Sequence, residues 1–136
     1  MSYPVSAKGV LLLNGQVVLV KNPRDEWELP GGRVDSGEDH VQALIREFSE
    51  ELAVAVTVEG AIDSYVFEVI PNRFVTIVTY GCALNGEFSP HLSDEHVDHC
   101  LWPVERLAEI NLPEGYRRSA EAWARLSGLA EAQDRA

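Results

Sequence analysis

The chain has 136 residues, enough for one domain that buries its core without disulfides or a structural metal. Hydrophobic residues make up 46 % and charged residues 24 %, the balance of a folded protein rather than a disordered one. The 11 Lys and Arg against 22 Asp and Glu leave a formal net charge of −11, which argues against a grip on nucleic acid; an anionic nucleotide is acceptable only where divalent cations reverse the local sign.

In chain order, Val5 to Leu13 and Gln16 to Val20 are rich in Val and Leu and are joined by Asn14-Gly15, which predicts an antiparallel hairpin. Lys21 to Glu26 leads into Trp27-Glu28-Leu29-Pro30-Gly31-Gly32, where proline and two glycines predict a loop and exclude a helix or a central strand. A helix is expected to start near Asp35 or Ser36, with Val41, Leu44, Ile45, Phe48 and Leu52 forming its core-facing stripe. Strands are expected over Val54 to Val58, Ser64 to Ile70, Arg73 to Leu84 and His96 to Trp102, with turns at Pro71-Asn72 and Asn85-Gly86. A short helix over Val104 to Ile110 and a longer one over Glu114 to Ala130 follow, with fraying expected only at Gln133 to Ala136. This order implies an α/β protein with a mixed sheet covered by helices on both faces.

Cys82 and Cys100 lie in apolar surroundings without C-x-x-C spacing and read as buried free thiols. The sequence opens without a basic region followed by an apolar core, and no apolar run reaches membrane-spanning length. A cytoplasmic protein without a membrane partner is the expectation.

Glu47, Glu50 and Glu51 stand at i, i+3 and i+4 of the first helix, which puts three carboxylates on one side, apart from the apolar stripe. Like charges at this spacing repel, and Glu50 and Glu51 also sit near the negative end of the helix. A hard divalent cation such as Mg²⁺ would reverse that penalty, since it prefers carboxylate, carbonyl and water oxygens. Arg46 lies four residues before Glu50 and can pair with it, and the glycine-rich loop can bring backbone oxygen close. On its own the trio reads more readily as a solvated acidic surface than as a metal site.

The whole stretch Gly32 to Val54, GRVDSGEDHVQALIREFSEELAV, resembles the Nudix box G-x5-E-x7-R-E-U-x-E-E-x-G-U, in which U is a bulky apolar residue. Gly32, Glu38, Arg46, Glu47, Phe48, Glu50, Glu51 and Val54 fall on its positions, and Ala53 replaces its last glycine, which is tolerable only if the backbone there avoids a positive φ. The leading hairpin, the W-E-L-P-G-G approach and the trailing strands and helices extend the likeness to the Nudix α/β/α sandwich over nearly the whole chain. The resemblance implies a hydrolase that cleaves a nucleoside diphosphate linked to another group, by attack of water on phosphorus. It further implies that Glu47, Glu50 and Glu51 bind Mg²⁺ or Mn²⁺ with a Gly32 carbonyl, that Arg46 orients the carboxylates, and that Glu38 is structural.

Glu50 and Glu95 are the candidates for the base that activates the water; Glu95 lies in the polar run Ser93-Asp94-Glu95-His96 and reads equally as an ordinary loop acid. Trp27, Arg24 and Arg73 are candidate substrate contacts, by stacking or by meeting phosphate oxygens, with packing slightly ahead of ligand contact for Trp27. His91, His96 and His99 lack the cysteine pattern of a zinc site. A small-molecule nucleotide is the expected partner, and a homodimer stays open. Two other readings compete: a non-catalytic nucleotide-sensing module, and a diphosphate isomerase that would need Cys82 or Cys100 in its pocket.

Overall fold

Asn14 and Gly15 turn the chain with φ of 52° and 76°, both left-handed as a two-residue hairpin turn of this type requires. They join β1 (Val5–Leu13) to β2 (Gln16–Lys21). The structure, a computed structural model, describes residues 3–135, with side chains described up to residue 128. The 21-to-32 segment, expected as plain loop, carries two short strands, β3 (Trp27–Glu28) on β2 and β4 (Gly31–Arg33) on β1. Glycine makes β4 compatible with a sheet interior: Gly31 has a φ of 135°, and a Cβ there would lie 2.1 Å from the Ala7 carbonyl oxygen.

The first helix, α1, spans His40–Leu52 and starts later than Asp35 or Ser36. Its N-cap is Asp39, whose carboxylate accepts the Gln42 N–H at 2.9 Å. Residues 35 to 38 form a turn instead, closed by the Glu38 N–H on the Asp35 carbonyl and opened to the left at Gly37. Leu44, Phe48 and Leu52 are fully buried, each contributing roughly 1.5–3 kcal/mol, but Val41 and Ile45 are 38 % and 39 % exposed. The buried stripe is therefore rotated toward Ala43 and Glu51, and Glu51 belongs to it.

Beyond α1 the expected strands at Val54 to Val58 and Ser64 to Ile70 are one, β5 (Val56–Ile70), paired antiparallel with β6 (Arg73–Leu84) through register shifts near Gly60 and Ala61. A final strand, β7 (Asp98–Pro103), pairs antiparallel with β2. The short helix expected after Pro103 is a 3₁₀ helix over Val104–Glu109, and α2 spans Glu114–Arg135. That helix includes Gln133 to Arg135, where fraying was expected, while Ala136 lies outside the described residues. β1 and β6 run parallel and the other pairs antiparallel, giving a mixed seven-stranded sheet. α1 closes a core with Leu11, Val18 and Val56 on one face, and α2 closes a second with Val10, Leu19 and Ile77 on the other. β1 carries the geometry that matters for function: it pairs with β2 at Leu12 and Leu13 but with β4 at Ser6 to Lys8. Between these partners the Gly9 N–H bonds to the Pro30 carbonyl, and β4 lies against the carboxylates of α1 at Gly31 and Gly32.

Ala53 ends α1 in the left-handed region, with φ 55° and ψ 37°, its N–H returning to Phe48 and Ser49 carbonyls. The positive φ that alanine was expected to avoid is thus kept, because the α1–β5 connection needs this cap. Ala53→Gly should relieve the steric cost and raise stability by about 0.5–1 kcal/mol, less than the full left-handed penalty because glycine also loosens the unfolded chain. Denaturant midpoints of the two proteins measure it, and an unchanged or lower midpoint would contradict the strain.

Candidate functional site

α1 directs Glu47 and Glu51 toward β4, one helical turn apart. Glu51 is 3 % exposed, and its Oε2 accepts the Gly31 N–H at 3.0 Å. Burial drives its carboxyl up to about 7, against the lowering influence of Lys8, the Gly31 hydrogen bond and His96. Glu47 is also raised, by burial first, then by Glu50 and Glu95 against the opposing Arg46 charge. Gly32 faces Glu47 directly: a Cβ there would sit 2.7 Å from the Glu47 carboxyl carbon and 2.8 Å from both its oxygens. Only glycine leaves room for that carboxylate.

Arg46 gathers the acids around it. Its Nε and Nη2 donate to the two oxygens of Glu38 at 2.8 and 2.9 Å, and its Nη1 donates to Glu47 Oε1 and to Glu50 Oε2, each at 3.1 Å. Nη2 also reaches the Arg33 carbonyl at 3.2 Å, so one guanidinium ties the turn, β4 and α1 together. This forked pairing holds the Glu38 carboxyl down to about 2. Glu38 thus lies before the helix and acts on it through Arg46.

A cleft of about 380 Å³ opens at this place, lined by Glu47, Glu51, Glu95, Gly31 and Gly32, with Arg33, Asn22, Glu28 and His96 completing its wall. Glu95 enters from the loop before β7, which is tied down by the Ser93 N–H on the Glu51 carbonyl and the Val97 N–H on the Lys21 carbonyl. Glu50 is outside the lining, turned to Arg46. The other sequence candidates are not brought here. Arg24 is exposed and pairs with Glu26 at 2.9 Å; Trp27 packs on the α2-side core with the Lys21 ammonium 5.1 Å from its ring centre; Arg73 stands at the turn end of the β5–β6 hairpin. A larger cleft of about 940 Å³, between the Asn14-Gly15 turn and Trp123, lies at the other end of β1 and holds Glu59 as its one acid among the described residues.

Sequence reasoning missed Asn22, Glu28 and Lys8, and weighed His96 only as a zinc ligand. His96 Nε2 lies 3.0 Å from Glu28 Oε1 and 4.0 Å from Glu51 Oε1. Lys8, 7 % exposed, donates to the Gly31 carbonyl at 3.2 Å and lies 3.9 Å from Glu28. Burial pushes the Glu28 carboxyl up, but the His96 hydrogen bond and the Lys8 charge hold it below its ordinary value; Glu28 in turn raises His96. The available signal was a single lysine inside the apolar run Val5 to Leu13.

The oxygens offered to a hard cation are those of Glu47, Glu51 and Glu95, together with the backbone at Gly32. Among the described residues no three acids, histidines or cysteines stand close enough to hold an ion between them. The donor set nonetheless suits Mg²⁺ or Mn²⁺, ions that use one or two carboxylates and complete their shell with water and substrate phosphate. The raised acids, buried Glu51 and half-buried Glu47, are the groups such a charge would relieve. Neither thiol joins them: Cys82 packs in the α1-side core, where burial pushes it up to about 12, and Cys100 packs against the other core.

The model of the NUDIX domain matches residues 3–124. The chain is 37 % identical over 51 residues to an 8-oxo-dGTP diphosphatase of Proteus vulgaris, a match covering 38 % of this chain and 45 % of the relative. It is 36 % identical over 61 residues to the CTP pyrophosphohydrolase of Escherichia coli (strain K12), covering 41 % and 45 %. The chain thus spans about half the length of the curated relatives it matches. The crystal structure of a MutT NUDIX hydrolase from Burkholderia pseudomallei superposes with a TM-score of 0.77 at 23 % identity, over 90 % of this chain and 98 % of that one. At that identity the likeness speaks for the fold.

Proposed function

The chain belongs to the NUDIX family, and from that premise we propose that it is a metal-dependent diphosphohydrolase acting on a nucleoside diphosphate linked to another group. The observation that carries the reading is the cleft lined by Glu47, Glu51 and Glu95, with Glu51 on the Gly31 N–H and Glu47 against Gly32. Like charges gathered at one cleft, with Glu51 buried and Glu47 half-buried, repel one another and fit a substrate that arrives with divalent cations. The names of the two relatives, an 8-oxo-dGTP diphosphatase and a CTP pyrophosphohydrolase, support a nucleoside triphosphate as the substrate class.

In this reading Glu47 and Glu51 hold Mg²⁺ or Mn²⁺ with the Gly32 carbonyl, and Glu50 acts from the rim, turned toward Arg46. The cation supplies neutralisation of the diphosphate oxygens and orientation of the attacking water. Arg46 fixes Glu47, so that the carboxylate meets its partner without reorganising. Glu95, exposed at the cleft, takes the proton of the water as it attacks phosphorus; no covalent intermediate is required. The proposal extends to a cytoplasmic enzyme acting as one domain over residues 1–136 on small nucleotides, with a homodimer left open. Among the described residues no helix is long and apolar enough to cross a membrane.

The test is phosphate and pyrophosphate release over a panel of nucleoside triphosphates, nucleotide sugars, ADP-ribose and dinucleoside polyphosphates, with Mg²⁺, with Mn²⁺ and with chelator. Turnover that needs the cation and rises toward alkaline pH is expected. Nucleotide binding without any turnover would return the sensing reading, and turnover untouched by chelator would remove the metal. Glu95→Gln should lower kcat by roughly 10²-fold with little change in KM. A near-normal kcat in that variant would hand the base role to Glu50.

A further inference from the structure

Glu28 has no place in the mechanism above, yet it sits in the cleft wall beside the most buried acid of the site. Its contacts are an Asn22 amide at 3.4 Å, the Lys8 ammonium at 3.9 Å and His96 Nε2 at 3.0 Å. The histidine side chain is 5 % exposed, and its Nδ1 is buried with no hydrogen-bond partner among the described residues. A buried N–H left without an acceptor costs about 1–3 kcal/mol, whereas a bare lone pair costs less, so the neutral ring carries its one proton on Nε2. Two carboxylate oxygens compete for that proton, Glu28 Oε1 at 3.0 Å and Glu51 Oε1 at 4.0 Å, and Glu28 wins. Glu51 is therefore bonded through Oε2 alone, to the Gly31 N–H.

We propose that Glu28 is a positioning residue: by taking the only proton of His96 it keeps Glu51 Oε1 free of hydrogen bonds and open to a divalent cation. The inference rests on the reading of Glu51 as a cation ligand. It makes Glu28 act as an acceptor rather than as a charge or a ligand, and the cost of losing it is the cost of the His96 N–H turning onto Glu51. Outer partners of this kind change metal affinity by roughly 10–100-fold.

Direct binding of Mn²⁺ to the full chain, without substrate and at mildly alkaline pH, followed by the loss of the free-ion resonance, separates these roles. Glu28→Leu should weaken Mn²⁺ by at least ~10-fold, while Glu28→Gln, which loses the charge but keeps an oxygen for His96, should stay within about threefold of the parent. Adding His96→Phe to Glu28→Leu removes the competing donor and should recover most of the loss, which no merely structural role for Glu28 would do. Melting curves show whether each variant is folded; should Glu28→Leu not fold, Glu28→Gln and His96→Phe alone, both expected to bind near the parent level, carry the test. Glu28→Gln as weak as Glu28→Leu, or a double variant no better than Glu28→Leu, overturns the proposal. If the parent binds Mn²⁺ and Glu51→Gln binds it equally well, the reading of Glu51 as a ligand fails instead.

Discussion

Glu51→Gln should lower kcat by at least ~10²-fold, the scale of losing an electrostatic stabiliser of the transition state, and should at the same time make the metal-free protein more stable at neutral pH. The stability gain follows from burial. The Glu51 carboxyl titrates at about 7 in the folded chain against an ordinary 4.5, so the stability it contributes is fully present below 4.5 and is lost as pH rises through about 7. Ionised in both states, it costs the folded chain on the order of 3 kcal/mol, where an exposed helix pair would cost only a few tenths. His96, raised above 6.5 by Glu28, adds loss in the same direction, whereas Glu28, held low, loses its contribution only in acid. With chelator present, the parent should melt progressively lower from mildly acidic to mildly alkaline pH, and Glu51→Gln should flatten that slope. With Mg²⁺ the order should reverse, because an ion that binds only the folded state stabilises it by mass action. A Glu51→Gln protein that melts below the parent without metal, yet keeps its Mg²⁺-induced shift and its turnover, would show that Glu51 is purely structural.

That magnitude depends on a placement the sequence did not reveal. The i, i+3, i+4 spacing puts Glu47, Glu50 and Glu51 on one side of α1, but it does not say how far the helix is rolled onto the sheet. Apolar periodicity alone cannot separate Val41 and Ile45 from Leu44 and Phe48, and the structure leaves the first pair exposed so that Glu51 can turn inward. The later start of α1 has a local cause as well. The Asp35–Glu38 turn and the fork of Arg46 on Glu38 occupy the residues that looked like caps, and Asp39 takes over.

What was legible is what short-range chemistry encodes. Asn14-Gly15 marked the hairpin, the Leu44, Phe48 and Leu52 stripe marked α1, and the spacing from Gly32 to Val54 marked the acids that meet in the cleft. The Glu28–His96 bond joins residues 68 apart in the chain and exists only because β7 pairs with β2 and carries His96 back to β3. No local pattern encodes that meeting. β4 was hidden for a different reason: its glycines weigh against a strand by propensity, and only the close approach of the β1 backbone explains why they are needed.

Lys8→Met should cost the metal-free protein about 3–5 kcal/mol at mildly alkaline pH, the scale of removing one partner from a buried group of charges. Methionine matches the length of the lysine stem and keeps its packing near Tyr116, so the change isolates the ammonium, which lies 5.9 Å from that ring. Burial pulls the lysine down, but Tyr116, Glu28, Glu51 and Glu47 together hold it above 10.5. Its stabilising contribution is thus fully present below 10.5 and is lost only as pH rises beyond that, so the parent keeps the charge throughout the neutral range. Without it, Glu28 and Glu51 face each other across His96 with no cation between them. Most of the deficit should disappear in acid, where Glu51 is protonated in both proteins. The same variant should show a larger Mg²⁺-induced rise in melting temperature than the parent, because an added cation then supplies the positive charge that the site has lost. Denaturant midpoints at acidic and alkaline pH, with chelator and with Mg²⁺, measure both effects. A Lys8→Met protein within about 0.5 kcal/mol of the parent at alkaline pH, the range of an ordinary surface substitution, would mean that the buried acids do not depend on this lysine.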